Sequence, residues 1–150
     1  MLKELLPPTT KRVYYHTDPE INSDIREQAI DNLTVYKNSD KLITDRLRML
    51  NKEWDTERFL ETNAASVVII SSMLGLKKGK GWFCLTGAAG AFLLQHALQG
   101  WCPPLPIIRR LGIRTAEEIY NEKAALKMMR GDFSQDTRDV SKMLAIAEKE

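Results

Sequence analysis

The sequence is poor in the residues that carry most protein chemistry. It holds two cysteines, Cys84 and Cys102, and two histidines, His16 and His96. Two cysteines are no disulfide framework. On one continuous helix they would stand about 27 Å apart, far outside bridging distance. No cysteine–histidine group has the spacing of zinc ligands, so no metal and no cofactor is expected. A phosphate-cradling glycine loop is also missing. Gly87-Ala88-Ala89-Gly90 lies inside an apolar run. It lacks the Lys-Ser/Thr that would follow it in such a loop. No Ser/His/Asp arrangement stands out, and no catalysis is expected. Residues 1–12 include Pro7 and Pro8 and have no apolar core. That excludes a secretory signal there and predicts a cytoplasmic start.

Charge of one sign is equally scarce. Lys and Arg total 22 against 20 Asp and Glu, a net of +2. The two signs interleave, as in Asp45-Arg46 and Glu57-Arg58. Interleaving marks solvated helix faces rather than a nucleic-acid stripe. Charge is nearly absent from residues 62–108, where Lys77, Lys78 and Lys80 are the only charged side chains. A charge-poor block between charged flanks is a membrane pattern, and a buried hairpin of a soluble all-α core is its competitor.

The pattern predicts an all-α chain: a two-helix transmembrane hairpin at residues 59–103, with amphipathic cytoplasmic helices on both sides. Residues 82–101 are uncharged and bracketed by Trp82 and Trp101. The run is long enough to cross a hydrocarbon core of about 30 Å. The two tryptophans stand as if in two aromatic belts. Residues 60–76 are the weaker span, since the uncharged stretch from Ala64 to Leu76 is short and Glu61 and Asn63 precede it. Lys77-Lys78-Gly79-Lys80-Gly81 is the connector. Seven Lys and Arg near the outer ends (Arg46, Arg48, Lys52, Arg58, Arg109, Arg110, Arg114) outnumber the three connector lysines. That asymmetry puts both termini in the cytoplasm. The chain then belongs in the inner membrane as a multi-pass protein.

The flanks read as follows. Residues 1–22, with three prolines, are expected to be an extended arm. Residues 23–58 are expected to hold cytoplasmic helices, the first from Ser23 to about Tyr36. A second, capped by Ser39 or Asp40, carries Leu42, Ile43, Leu47 and Leu50 on one face. That face either packs on the first helix or lies on the membrane surface. Asp55 is placed to cap the first membrane helix. Residues 104–150 are expected to give a short helix stopped by Gly112, a helix capped by Thr115 with Glu118 as its box partner, and a last helix from about Arg138 to Glu148.

The stretch His96-Ala97-Leu98-Gln99-Gly100-Trp101-Cys102-Pro103, continuing to Leu111-Gly112-Ile113-Arg114-Thr115, resembles the YgaP-like two-helix inner-membrane family, best known as a tail fused to rhodanese domains. The resemblance covers about residues 54–133. It implies two crossings, a short outside connector and a dimer, and it implies no settled activity. The chain has no rhodanese domain, so the sulfur-carrying loop of the fused members is absent.

Three groups of residues are candidate sites. Cys102, after the second span and near Arg109 and Arg110, is either a thiol relay or a small residue fitting a tight turn. His96, with Gln99 and Asn63, is an intramembrane polar site. It would relay a proton, ligate haem in a dimer, or simply hydrogen-bond to Asn63 or a serine of the first span. Thr86, Gly87, Gly90 and Ala91 are small residues four apart, suited to packing on the first span or on another copy. The function expected from this set is a membrane anchor or accessory subunit whose partners are the bilayer and a larger membrane complex or a second copy, with no nucleic acid.

Overall fold

In a computed structural model, residues 6–134 and 140–148 are described. Among them every regular element is helical, as the sequence predicts. The helices are α1 (Arg12–Tyr15), α2 (Pro19–Tyr36), α3 (Asp40–Leu50), α4 (Thr56–Lys78), α5 (Trp82–Gln99), α6 (Leu105–Arg110), α7 (Ala116–Met129) and α8 (Val140–Glu148). The first five residues of the expected arm, and the expected start of the last helix at Arg138, lie outside the described residues.

The chain divides into two compact units. One takes the residues up to Ser23 together with Trp54–Ala116. The other takes Asp24–Glu53 and the residues from Glu117 onward.

The first unit is built on α4 and α5. Asp55 is extended and accepts a hydrogen bond from the Arg58 N–H at 2.7 Å. It therefore caps α4, as its position predicts. The helix then runs unbroken for 23 residues. At the α-helical rise it is about 35 Å long. α5 follows the connector and stops at Gln99, where Gly100 turns left-handed with φ 77°. Cys102-Pro103-Pro104 comes next, and proline cannot continue the helix. Thr56, fully buried, anchors the start of α4: its N–H and its hydroxyl both donate to the Arg114 carbonyl, at 2.8 and 3.0 Å. Below the pair sits a small core of Val13, Leu60, Cys102, Leu105 and Ile108, with Phe59, Trp101 and Ile113 against it.

Val13 overturns the extended arm over the described part of residues 1–22. Residues 12–15 form a helical turn, and Val13 is sealed in the core. The prolines misled because Pro7 and Pro8 precede this turn, and Pro19 opens α2. At a helix start proline's missing donor costs nothing.

The second unit packs α3 against the rest of its own helices. Ile43, Leu47 and Leu50 are buried with Ile119 and Leu126 of α7, and Leu33 and Tyr36 of α2 lie against them. Of the two roles open to the α3 face, packing is the one realised. Arg46 donates from Nε to the buried Glu122 carboxylate at 2.8 Å and lies over the Tyr36 ring.

One helix among those described, α4, is long and apolar enough to cross a membrane. This reverses the ranking of the two spans and leaves the second crossing of the expected transmembrane hairpin without that support. α4 gains length from its capped first turn. α5 ends two residues before Trp101 and carries Gln95, His96 and Gln99 in its last turns.

Candidate functional site

The α4–α5 pair has an inverted polarity. Its inner seam is made of small and hydroxylated side chains. Ser71 Oγ and Thr86 Oγ1 lie 2.7 Å apart across it, and Ser71 also donates to the Val67 carbonyl. Ser72 reaches the same threonine at 3.4 Å. One turn on, Gly75 meets the Phe83 ring so closely that an added Cβ would stand 2.9 Å from it. Pairing 71 with 86 and 75 with 83 makes the helices antiparallel. Covered positions recur at 86, 89, 93, 96 and 100, with Gln95 half-buried beside His96. Their steps alternate by three and four, the spacing of a coiled-coil-like seam.

The outer surface is apolar. Val67, Ile69, Ile70, Met73 and Leu76 on α4, and Leu85, Phe92, Leu94 and Leu98 on α5, are exposed, Leu76 by 82% and Leu94 by 62%. Only 17% of the most apolar stretch of α4 is buried. A core helix of a water-soluble protein shows the reverse.

The structure separates the residues that the sequence grouped. Thr86 lies in the seam. Gly87, Gly90 and Ala91 face away from α4, and an added Cβ on either glycine would meet nothing within 4 Å. Trp82 is outward and 42% exposed, while Trp101 packs on the core at the base. Asn63 is exposed and donates to the Phe59 carbonyl one turn back at 2.7 Å, so it does not serve His96. Gln99 is exposed as well.

His96 alone of that trio is buried, at 4% exposure, and neither ring nitrogen has a hydrogen-bond partner. Its neighbours come from elsewhere. The backbone of Arg12 lies against Gly100, so that a Cβ there would fall 2.5 Å from it. The Arg12 guanidinium reaches Glu57 Oε1 at 3.5 Å and sends its field onto His96. Arg12, Glu57 and His96 therefore gather where α1, the first turn of α4 and the last turn of α5 meet.

Cys102 is a core residue, 2% exposed. Burial pushes its thiol above the ordinary value of 9.0, against the smaller pull of a backbone hydrogen bond at Leu105. Burial disfavours the charged thiolate. A thiol held neutral in this way is a poor nucleophile at pH 7. Arg109, expected to help activate it, turns its guanidinium elsewhere: to Thr17 Oγ1 at 3.1 Å, Asn22 Oδ1 at 3.1 Å and the Ile113 carbonyl at 3.0 Å. Arg109 is fully buried and holds the turn before α2 to α6. Cys84 is exposed near the connector. Among the described residues no three His, Cys, Asp or Glu side chains converge closely enough to hold a metal ion.

Sequence reasoning missed Arg12, Glu57, Thr17 and Asn22, and it set Arg109 beside Cys102 rather than Thr17 and Asn22. Each is a common polar residue in a polar stretch, and only the packing of α1 and α6 under the helix pair makes them neighbours. The three–four spacing ending at His96 and Gly100 was a legible sign that His96 faces inward.

At the far end, the connector bounds an open depression of about 440 Å³ lined by Lys78, Gly79, Lys80, Gly81, Trp82 and Leu85.

Residues 55–118 match the family model of the inner membrane protein YgaP-like transmembrane domain. The match runs over α4, the connector, α5, α6 and the first turn of α7, a narrower range than the expected 54–133. No rhodanese domain is found in the chain. No curated protein and no solved structure matches it.

Proposed function

We propose that this chain is a small integral membrane protein of the inner membrane, an anchor or accessory subunit without catalysis of its own. It crosses the bilayer twice, through α4 and α5, with both termini in the cytoplasm. The second unit stands on the cytoplasmic side, where it docks onto a larger membrane complex or a second copy.

The observation that carries this reading is the inverted polarity of the α4–α5 pair. Between the helices lie hydroxyls and a glycine, and outside lie isoleucine, leucine and phenylalanine. In water that arrangement hides polar groups and exposes apolar ones, at roughly 1.5–3 kcal/mol for each large side chain left out. In lipid it is the favourable order, because close packing and interhelical hydrogen bonds hold the pair while the apolar surface meets acyl chains. The family match of residues 55–118 supports the same reading.

The test combines extraction with labelling. Carbonate-washed membranes are expected to retain the full-length protein. In a Cys84→Ser background, a membrane-impermeant maleimide is expected to label a cysteine introduced at Lys80 in the connector from the outer side of the inner membrane, and not one introduced at Ser141. Release of the chain by carbonate overturns the membrane reading. Labelling of both positions from the same side overturns the double crossing. Purification in mild detergent as a lone monomer, without partner or second copy, overturns the accessory role.

A further inference from the structure

Among the described residues, every buried side-chain nitrogen or oxygen without a hydrogen-bond partner belongs to three residues of one cluster. They are Arg12 Nε, Glu57 Oε2, and both ring nitrogens of His96. Unpaired buried polar atoms are costly, and native proteins hold few of them, so four in one place ask for an explanation.

The charges around His96 narrow it. From α1 comes the Arg12 guanidinium. From α4 comes Glu57, with Asp55 and Glu61 in its own surroundings. On α5 itself the nearest polar side chains, Gln95 and Gln99, carry no charge. On α6 the Arg109 guanidinium is taken up by Thr17, Asn22 and Ile113. A metal ion would need more ligands than this place offers, since among the described residues no three His, Cys, Asp or Glu side chains converge, and an anion gains little beside Glu57. The ligand that fits a buried neutral imidazole with a bare nitrogen is the proton.

We propose that His96 is a proton-binding site whose occupancy decides whether the turn carrying Arg12 stays seated on the end of α5. The proton comes from water and lands on the bare ring nitrogen, and no other bond is made or broken. With the ring neutral, Arg12 has one ion pair, to Glu57, and its backbone rests on Gly100. With the ring protonated, its charge stands beside the Arg12 guanidinium at a partly buried place, where their repulsion is only partly screened. The short helix α1 is the part free to give way, since it is four residues long and Val13 is its one buried side chain. α4 and α5 are held to each other along the whole seam. The consequence is a chain whose residues before α2 detach from the base of the helix pair as the pH falls. This site does not depend on the anchor reading.

The measurement is hydrogen–deuterium exchange of the full-length protein in mild detergent, followed for residues 8–18 between about pH 8 and about pH 5 and corrected for the intrinsic exchange rate. Protection of residues 12–16 is expected to fall about tenfold or more across this range in the parent protein. In His96→Gln it should stay flat. In His16→Gln, which removes the other histidine (an exposed ring beside the Arg12 carbonyl), the fall should persist. A parent protein with no pH response overturns the proposal. So does a response that survives in His96→Gln or vanishes in His16→Gln. Should His96→Gln not fold, Arg12→Gln carries the test with the imidazole intact. It removes the repelling cation and should abolish the response, and a full parental response in it is equally fatal.

Discussion

Phe83 lies across Gly75 so closely that the ring fills the space a side chain would take on α4. One turn further along the same seam, Ser71 and Thr86 are joined by a 2.7 Å hydrogen bond. At this end of the seam the pair is thus held by an aromatic ring on bare backbone and by the hydroxyls of Ser71 and Ser72 on Thr86, with Leu76 and Leu85 turned outward.

Gly75→Ala is expected to destabilise the helix pair by about 1–3 kcal/mol, because the added methyl overpacks the ring. Phe83→Ala loses the ring's contacts and should cost a comparable amount. The double variant should cost less than the sum of the two, since the methyl then occupies space the ring has left. Unfolding in mixed micelles by denaturing detergent measures all three. Strict additivity would show that the two residues do not meet.

Gly100 and Gly112 share the same left-handed φ of 77°, yet their surroundings differ. A Cβ at Gly112 meets nothing within 4 Å. Gly112→Ala should therefore cost the backbone strain alone, about 1 kcal/mol. A Cβ at Gly100 strikes the Arg12 backbone at 2.5 Å, which no rotamer change relieves. Gly100→Ala is expected to cost at least about 2 kcal/mol more and to raise amide exchange over residues 12–16 even at neutral pH. Equal costs at the two glycines would refute the seating of α1 on α5.

Cys102 and Cys84 should separate in a thiol-labelling experiment on folded protein in detergent. Cys84 is exposed and should react first at pH 7. Cys102 is shielded, and burial keeps its proton on. The sign of the linked stability follows. The contribution from the buried neutral thiol is fully present below the unfolded value of 9.0. It is lost as pH rises through the higher folded value, because the unfolded chain gives up the proton more readily. Cys102→Ala should remove this alkaline loss of stability. It should also cost stability at neutral pH. The side chain belongs to the core with Val13, Leu60, Leu105 and Ile108. Faster labelling of Cys102 than Cys84 at pH 7 would reopen a role for it as a nucleophile.

Much of the helix order was legible because it rests on local signals. Asp55 before Thr56 has the side chain that an α-helix start needs. It makes the bond expected of it. Gly100 and Gly112 stand where helices end. Glycine enters the left-handed turn there without a Cβ penalty. The α3 face was legible as a pattern and ambiguous as to its partner. Periodicity shows which residues are apolar together, and lipid and protein core attract the same residues. The arm was misread because Pro7, Pro8 and Pro19 suppress helix in a local reading, while the burial of Val13 is decided by distant residues such as Leu60 and Leu105.

What the sequence determined on its own is the solvent logic of the chain: a charge-poor block between charged helical flanks, with boundaries set by Asp55, the Lys-Gly connector and the Gly100–Pro104 turn. Those features act within a few residues or through composition, so they need no fold to be read. What only the tertiary structure decided is which side of each helix faces inward and which polar groups meet. His96 ended beside Arg12 and Glu57 rather than Asn63. Arg109 ended beside Thr17 and Asn22 rather than Cys102, because α1 and α6 fold back under the helix pair. Contacts between residues so far apart in the chain depend on how whole helices pack, and no local pattern encodes them.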